Sequence, residues 1–282
     1  DDSSSLMDRA NVKSQLADYE GAVADMRQVL AQMPGSFIAL RASGFVAMAG
    51  GRFRSAREYL DEAIQMAPDF PEVYSMRAQV QLRAGRYQDA LADISRALEL
   101  QPTDPVALAL RTDIKIRLRD FDGAVADATR FIQVSPATPH GYEYRMQALW
   151  QKGDLKAAMA DAGALLRLNN NNIKAIWSRC GILEAQWEWD KALADLDAAL
   201  VIRPGAEEYV VEKAAVLKAL GRDDESRRMI EELKDDDMKQ AAESAVRQRA
   251  DNLKQVMAGR QLEGKADVTP AERMVRGMAS VW

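Results

Sequence analysis

The 282-residue sequence contains a single cysteine and a single histidine. Cys180 excludes an intramolecular disulfide, and its place in an apolar helical pattern predicts a buried packing role, since free cysteine behaves as a small hydrophobe. His140 follows Pro139 at a predicted helix start, where we expect a solvated cap or groove residue. The sequence has no HExxH, CxxC, GxSxG or P-loop pattern. We therefore predict that the protein is not an enzyme and has no catalytic residues, metal site or cofactor.

The sequence also has no excess of positive charge and no long apolar run. The net charge is −5, which argues against a nucleic-acid partner because such partners require a basic face. No stretch approaches the roughly 18 consecutive apolar residues of a membrane-spanning helix, so we predict no transmembrane segment. Because poverty in cysteine suits either the cytoplasm or the periplasm, we expect a soluble protein in one of these two compartments.

The sequence does contain a repeat of fixed length. Small residues recur every 34 positions, at Ala22, Ala56, Ala90, Ala124, Ala158, Ala192 and Ser226. Prolines recur in the same phase, at Pro34, Pro68, Pro102, Pro136 and Pro204, with Asn170 in the one gap. A mid-repeat glycine that permits a helix–helix turn appears at Gly51, Gly85, Gly153 and Gly221. Arg119 and Trp187 replace this glycine in two repeats, and we expect those two turns to differ locally.

This combination of period, glycine, small residue and proline resembles the tetratricopeptide repeat family. The resemblance covers residues 1–240 as seven units, namely 3–36, 37–70, 71–104, 105–138, 139–172, 173–206 and 207–240. It implies an all-α fold, a right-handed superhelical solenoid of antiparallel helix pairs, in which the first helix of each pair lines the concave face. One subclass of the family grips chaperone carboxylates with a Lys/Asn clamp. Ile38, Arg41 and Phe45 occupy the first clamp positions here, so we disfavour chaperone-tail binding.

Beyond about residue 235 the period fails. Residues 236–259 are typical of a longer amphipathic helix that caps the array and ends at Gly259. We interpret 260–268 as a linker and 269–282 as a short amphipathic helix that begins with a capping box. A helix this short needs a packing partner, and three remain open: the cap helix, another subunit in a homo-oligomer, or the protein's own groove.

Arginine and aspartate occur as a pair, 16 residues apart, in five repeats. The pairs are Arg9 with Asp25, Arg77 with Asp93, Arg111 with Asp127, Arg145 with Asp161, and Arg179 with Asp195. Since arginine and carboxylate are geometrically well matched, we predict salt bridges that fix helix angles. The alternative is an arginine ladder that binds a ligand.

The helical period also predicts which side chains face a binding groove. Outward positions of the first helices give the candidate partner-binding residues Arg83, Asp113, Arg117, His140, Glu143, Tyr144, Gln147, Gln151, Lys174 and Trp177. Trp150 either joins this surface or packs between adjacent first helices. Trp, Tyr and Arg are the usual anchors of protein interfaces.

We therefore predict a non-enzymatic scaffold that binds a peptide or helix of a partner protein in the concave groove. One alternative is a regulatory or substrate-recruiting subunit of an enzyme complex that acts on the cell envelope or on glycans. The other is a scaffold that assembles into homo-oligomers.

Overall fold

The computed structural model describes residues 2–233 and 236–262, and within them every regular element is an α-helix. The helices are α1 (Ser3–Gln15), α2 (Tyr19–Gln32), α3 (Phe37–Ala49), α4 (Phe53–Met66), α5 (Pro71–Arg83), α6 (Tyr87–Leu100), α7 (Pro105–Arg117), α8 (Phe121–Val134), α9 (Pro139–Lys152), α10 (Leu155–Leu168), α11 (Ile173–Ala185), α12 (Trp189–Ile202), α13 (Glu207–Ala219), α14 (Asp223–Glu231) and α15 (Asp236–Leu262). We call α1, α3, α5, α7, α9, α11 and α13 the first helices and their even-numbered partners the second helices. The prediction of an all-α fold is confirmed.

The turn between the two helices of a pair keeps the same geometry whichever residue occupies it. Gly51 has a φ of 71°, and Arg119 and Trp187 have φ values of 62° and 66°. The next residue's amide closes the same bond in each case, as Arg52 N donates to Ala47 O and Asp120 N donates to Lys115 O. The expectation that Arg119 and Trp187 alter their turns is therefore wrong, because this hydrogen bond and the packing of the two helices hold the left-handed conformation.

The described helices form two compact units, residues 1–144 and 145–282. In the first unit, each first helix packs on its own second helix, and each second helix then packs on the next first helix. The same order continues from α10 to α13 in the second unit. Within each unit, helix pairs thus stack in chain order, as the predicted solenoid requires.

Small residues at the repeating position allow the helices of a pair to approach closely. Ala22, Ala56, Ala90 and Ala124 in the first unit are completely buried, and so are Ala158 and Ala192 in the second. Gly44 serves the same purpose on α3, where an added Cβ would lie 2.7 Å from a side-chain atom of Leu60. The core of each unit therefore depends on small side chains at fixed places in the repeat.

The last helix, α15, does not follow the stacking order. It packs mainly along α13 and only slightly against α14, whereas α13 packs on the second helix before it, α12. It also continues past the predicted stop at Gly259 and ends at Leu262, so residues 260–262 are helical rather than part of a linker. The rest of the predicted linker and the predicted helix over 269–282 lie outside the described residues.

Candidate functional site

The first helices of residues 1–144 present a face that carries apolar and charged side chains together. Ile38 and Phe45 lie seven residues apart on α3 and are 59% and 48% exposed. Val106 and Asp113 have the same spacing on α7, and Val106 is 62% exposed. Residues seven apart share one side of a helix. Because α3, α5 and α7 pack in succession, these residues line one side of the unit, which we call the first-helix face.

Three of the predicted binding residues come together on this face. Arg117 Nε lies 3.2 Å from the Asp113 carboxylate, one turn away on α7. Tyr144, on α9, is half-buried against the core of the same unit. Burial raises the pKa of the Tyr144 phenol, and the nearby carboxylates of Asp113 and Glu143 add to the rise. The phenol therefore stays protonated at neutral pH and keeps an O–H that can donate a hydrogen bond to a partner.

The other predicted binding residues of the first unit occupy more scattered places. Arg83 is exposed at the end of α5, His140 is exposed in the first turn of α9, and Glu143 is half-buried. Sequence reasoning missed Ile38, Phe45 and Val106 as members of the same face. Their signal was present, because they stand at the outward positions from which the charged candidates were chosen.

In residues 145–262 the predicted binding residues are less exposed to solvent than those of the first unit. Gln147 and Gln151 are half-buried and Lys174 is exposed. Trp177 is half-buried, and its ring centroid lies 5.2 Å from that of Tyr209. Trp150 is buried, so it packs in the core and does not join an exposed surface. The binding role of these residues stays a prediction.

The five Arg–Asp pairs are salt bridges within each repeat. In every pair Nε and Nη2 of the arginine donate to the two carboxylate oxygens of the aspartate, at distances between 2.5 and 2.9 Å. The aspartates are buried, while the arginines keep part of their surface in water. The bidentate geometry is the strong form of this contact. The predicted salt bridges are confirmed.

Among residues 2–233 and 236–262, no group of three or more His, Cys, Asp and Glu side chains is arranged to hold a metal ion. Over the same residues, no helix combines the length and apolar character needed to cross a bilayer.

Comparison with known proteins identifies the fold. A family model described as tetratricopeptide repeat matches residues 44–105 and 113–173. These two segments are tetratricopeptide repeats, which confirms the predicted resemblance. A comparison with curated proteins finds no significant match.

Solved tetratricopeptide repeat structures share the architecture at low sequence identity. A repeat protein from Parabacteroides merdae is 14% identical, with a TM-score of 0.65 over 88% of this chain and 98% of the other. The C-terminal part of a repeat protein from Cytophaga hutchinsonii is 13% identical, with a TM-score of 0.69 over 82% and 97%. YrrB, described as a tetratricopeptide repeat protein with an unusual peptide-binding site, is 15% identical, with a TM-score of 0.57 over 67% and 97%. Such repeats form protein–protein interaction scaffolds, and the fold of this chain belongs to that class.

One cluster of charged side chains departs from the repeat pattern. Arg249 of α15 binds Glu212 of α13, with Nη2 at 2.6 Å from Oε1, and also Glu184 of α11, with Nη2 at 2.8 Å from Oε2. Both carboxylates are buried. Burial raises the pKa of Glu184 well above its usual value, the charge of Glu212 adds to this, and Arg249 opposes it. Sequence reasoning missed this cluster because its members have no periodic spacing.

Cys180 lies beside this cluster, as a packing residue. Its Sγ is 3.4 Å from Glu184 Oε1 and 3.6 Å from Ala192 O, and the residue is buried. Burial, followed by the nearby Glu184 carboxylate, raises the pKa of the thiol well above its usual value. A protonated, buried thiol is a poor nucleophile, and the predicted packing role is confirmed.

Proposed function

We propose that the first-helix face of residues 1–144 binds a peptide or helix of a partner protein. The single observation that supports this proposal is the combination of exposed apolar side chains with a polar cluster on one side of successive first helices. Phe45, Ile38 and Val106 supply apolar contact, and Asp113 with Arg117 supplies charges of both signs. An interface with an apolar centre and a polar rim has this composition.

The charges of this face favour a short segment with mixed polarity over a nucleic acid or a purely acidic ligand. Arg117 is already paired with Asp113, so the two present opposite charges side by side to a partner. Tyr144 lies next to this pair and offers both a ring surface and a hydroxyl group. Aromatic residues of this kind are the usual energetic centres of protein interfaces.

The test compares two apolar side chains of equal exposure in the same unit. Phe45 on first helix α3 is 48% exposed, and Met66 on second helix α4 is 50% exposed. The full chain, as wild type, Phe45→Ser, Tyr144→Ala or Met66→Ser, is used for affinity capture, and a synthetic peptide from the captured partner is then titrated by calorimetry. We expect Phe45→Ser and Tyr144→Ala each to weaken binding at least about tenfold, and Met66→Ser to leave it unchanged.

Two results of this experiment would contradict the proposal. An unchanged dissociation constant for both Phe45→Ser and Tyr144→Ala would remove the first-helix face as the binding surface. An equal loss for Met66→Ser would show that the effect has nothing to do with this side of the unit. The identity of the captured protein also separates the two alternatives, because an enzyme would indicate a recruiting subunit and a second copy of the chain would indicate self-assembly.

A further inference from the structure

Helix α15 lies across two successive first helices of the second unit. Its Arg249 donates to Glu184 on α11 and to Glu212 on α13 through the same Nη2 atom. A helix stacked as the next member of the array would pack mainly on α14, just as α11 packs on α10 and α13 packs on α12. Because α15 packs along α13 instead, and Arg249 reaches α11 as well, the helix binds residues of two successive first helices.

Two buried carboxyl groups beneath α15 accept hydrogen bonds from one guanidinium group. Glu184 is 1% exposed and Glu212 is 8% exposed, so water solvates neither carboxyl group. Arg249 Nε contacts both oxygens of Glu212, at 2.9 and 3.2 Å, while Nη2 bridges the two residues. A planar fork of N–H donors fits this arrangement, and the ammonium group of lysine, a point charge, does not reproduce it.

The described apolar contacts of α15 lie against α13 and α14. Among the α15 side chains that the structure describes, the buried ones are Ala242, Val246 and Ala250. Ala242 and Val246 pack in one cluster with side chains of α13 and α14. Beside these apolar contacts, the ion pairs of Arg249 join α15 to Glu184 and Glu212.

We propose that the face of α11 and α13 is a binding site for an amphipathic helix that carries an arginine, that α15 is its internal occupant, and that a partner helix of the same pattern displaces α15. The pattern places a small or β-branched residue at the positions of Ala242, Val246 and Ala250 and the arginine at the position of Arg249. This site lies in residues 145–262, so it stands apart from the first-helix face of residues 1–144 and does not depend on that proposal.

The test uses a fluorescein-labelled peptide with the sequence of residues 236–262, added to the full chain and followed by anisotropy. Wild type should bind the peptide weakly because α15 occupies the site. The Arg249→Gln chain should bind it at least about tenfold more tightly, because its own α15 has lost the guanidinium. The chain with Arg247→Gln, an exposed arginine on the same helix, should behave as wild type.

Two further experiments test whether the tighter binding of the peptide depends on the carboxyl groups that contact Arg249. A peptide in which the arginine equivalent to Arg249 is glutamine should fail to bind the Arg249→Gln chain. Adding Glu212→Gln to that chain should reverse the gain for the wild-type peptide at least about tenfold. Equal binding of the peptide by the Arg249→Gln and Arg247→Gln chains would overturn the proposal, as would equal binding of the two peptides.

A measurement on the wild-type chain does not depend on how any variant folds. With a saturating amount of the unlabelled peptide, made with nitrogen-15 so that its mass differs, hydrogen exchange in the chain's own α15 should accelerate at least about tenfold. Exchange in α11 and α13 should stay slow. Unchanged protection of α15 at saturation would overturn the proposal even if the first-helix face of residues 1–144 binds a partner as proposed.

Discussion

Replacement of Arg145 by alanine tests whether the Arg–Asp pairs hold the repeats together. Arg145 Nε and Nη2 donate to the two carboxylate oxygens of Asp161 at 2.9 and 2.7 Å. The aspartate side chain is 5% exposed and the arginine side chain is 25% exposed. The substitution leaves a buried carboxylate without its guanidinium, and an unpaired buried charge costs more than the pair itself contributes.

The size of the effect follows from the burial of the pair. Removal of one partner from a fully buried ion pair costs about 3–5 kcal/mol. Because a quarter of the Arg145 side chain is exposed to water, solvent can reach Asp161 after the truncation. We therefore expect the free energy of local unfolding to fall by about 2 kcal/mol. Arg111→Ala should cost less, about 1 kcal/mol, because Lys115 Nζ remains 2.7 Å from Asp127 and keeps that carboxylate paired.

Native-state hydrogen exchange in α9 and α10 measures this loss locally, in the part of the chain where the pair lies. A double-mutant cycle of Arg145→Ala with Asp161→Ala should give a coupling free energy of at least about 1 kcal/mol. Partner affinity should remain close to that of wild type. A coupling below about 0.5 kcal/mol, together with lost partner binding, would refute the structural role and favour the arginine ladder as a ligand site.

The remaining predictions concern backbone positions. Gly44→Ala should lower the free energy of unfolding by about 1 kcal/mol because the new Cβ meets the buried Leu60 side chain at 2.7 Å, whereas Gly163→Ala, whose nearest contact is 3.6 Å, should raise it by up to about 1 kcal/mol. Urea midpoints followed by circular dichroism check both, and a loss at Gly163 as large as at Gly44 would contradict the packing argument. Ala17→Gly should raise the thermal midpoint because Ala17 has a φ of 62°, a conformation that glycine adopts with less strain. The gain in the free energy of unfolding should be about 0.5–1 kcal/mol. Ala84→Gly, at a φ of −82°, should lower the thermal midpoint, and the same sign for both would contradict the reasoning.

The features that recur with the period could be predicted from the sequence. The repeat places Ala56, Ala90 and their equivalents where two helices meet, and these residues are fully buried. The Arg–Asp contacts followed from the recurrence of both residues, 16 positions apart, in five repeats. In each case the same local pattern occurs in several repeats, so the prediction does not depend on a chance match at any single position.

Features that depend on packing across the fold could not be predicted in this way. The preference of glycine for positive φ is a local tendency. It did not predict that Arg119 and Trp187 adopt the same positive φ, which helix packing imposes on them. Likewise, Gly259 lowers helix stability by only about 1 kcal/mol, and α15 continues through it to Leu262. The cluster of Arg249 with Glu184 and Glu212 joins residues 65 and 37 positions apart, and no pattern of the sequence relates them.

The period explains why one backbone can support two kinds of surface. Glu212 stands at the repeat position that Tyr144 occupies two units earlier, and Glu184 stands one unit after Trp150. In the earlier repeat both positions hold aromatic residues. Tyr144 is half-buried beside charged groups, and Trp150 is buried in the core. In the later repeats they hold carboxyl groups, which need hydrogen-bond partners once they are covered. The repeat fixes the positions of these side chains but not their chemical nature. Arg249 binds α11 and α13 because two of these repeat positions hold glutamates.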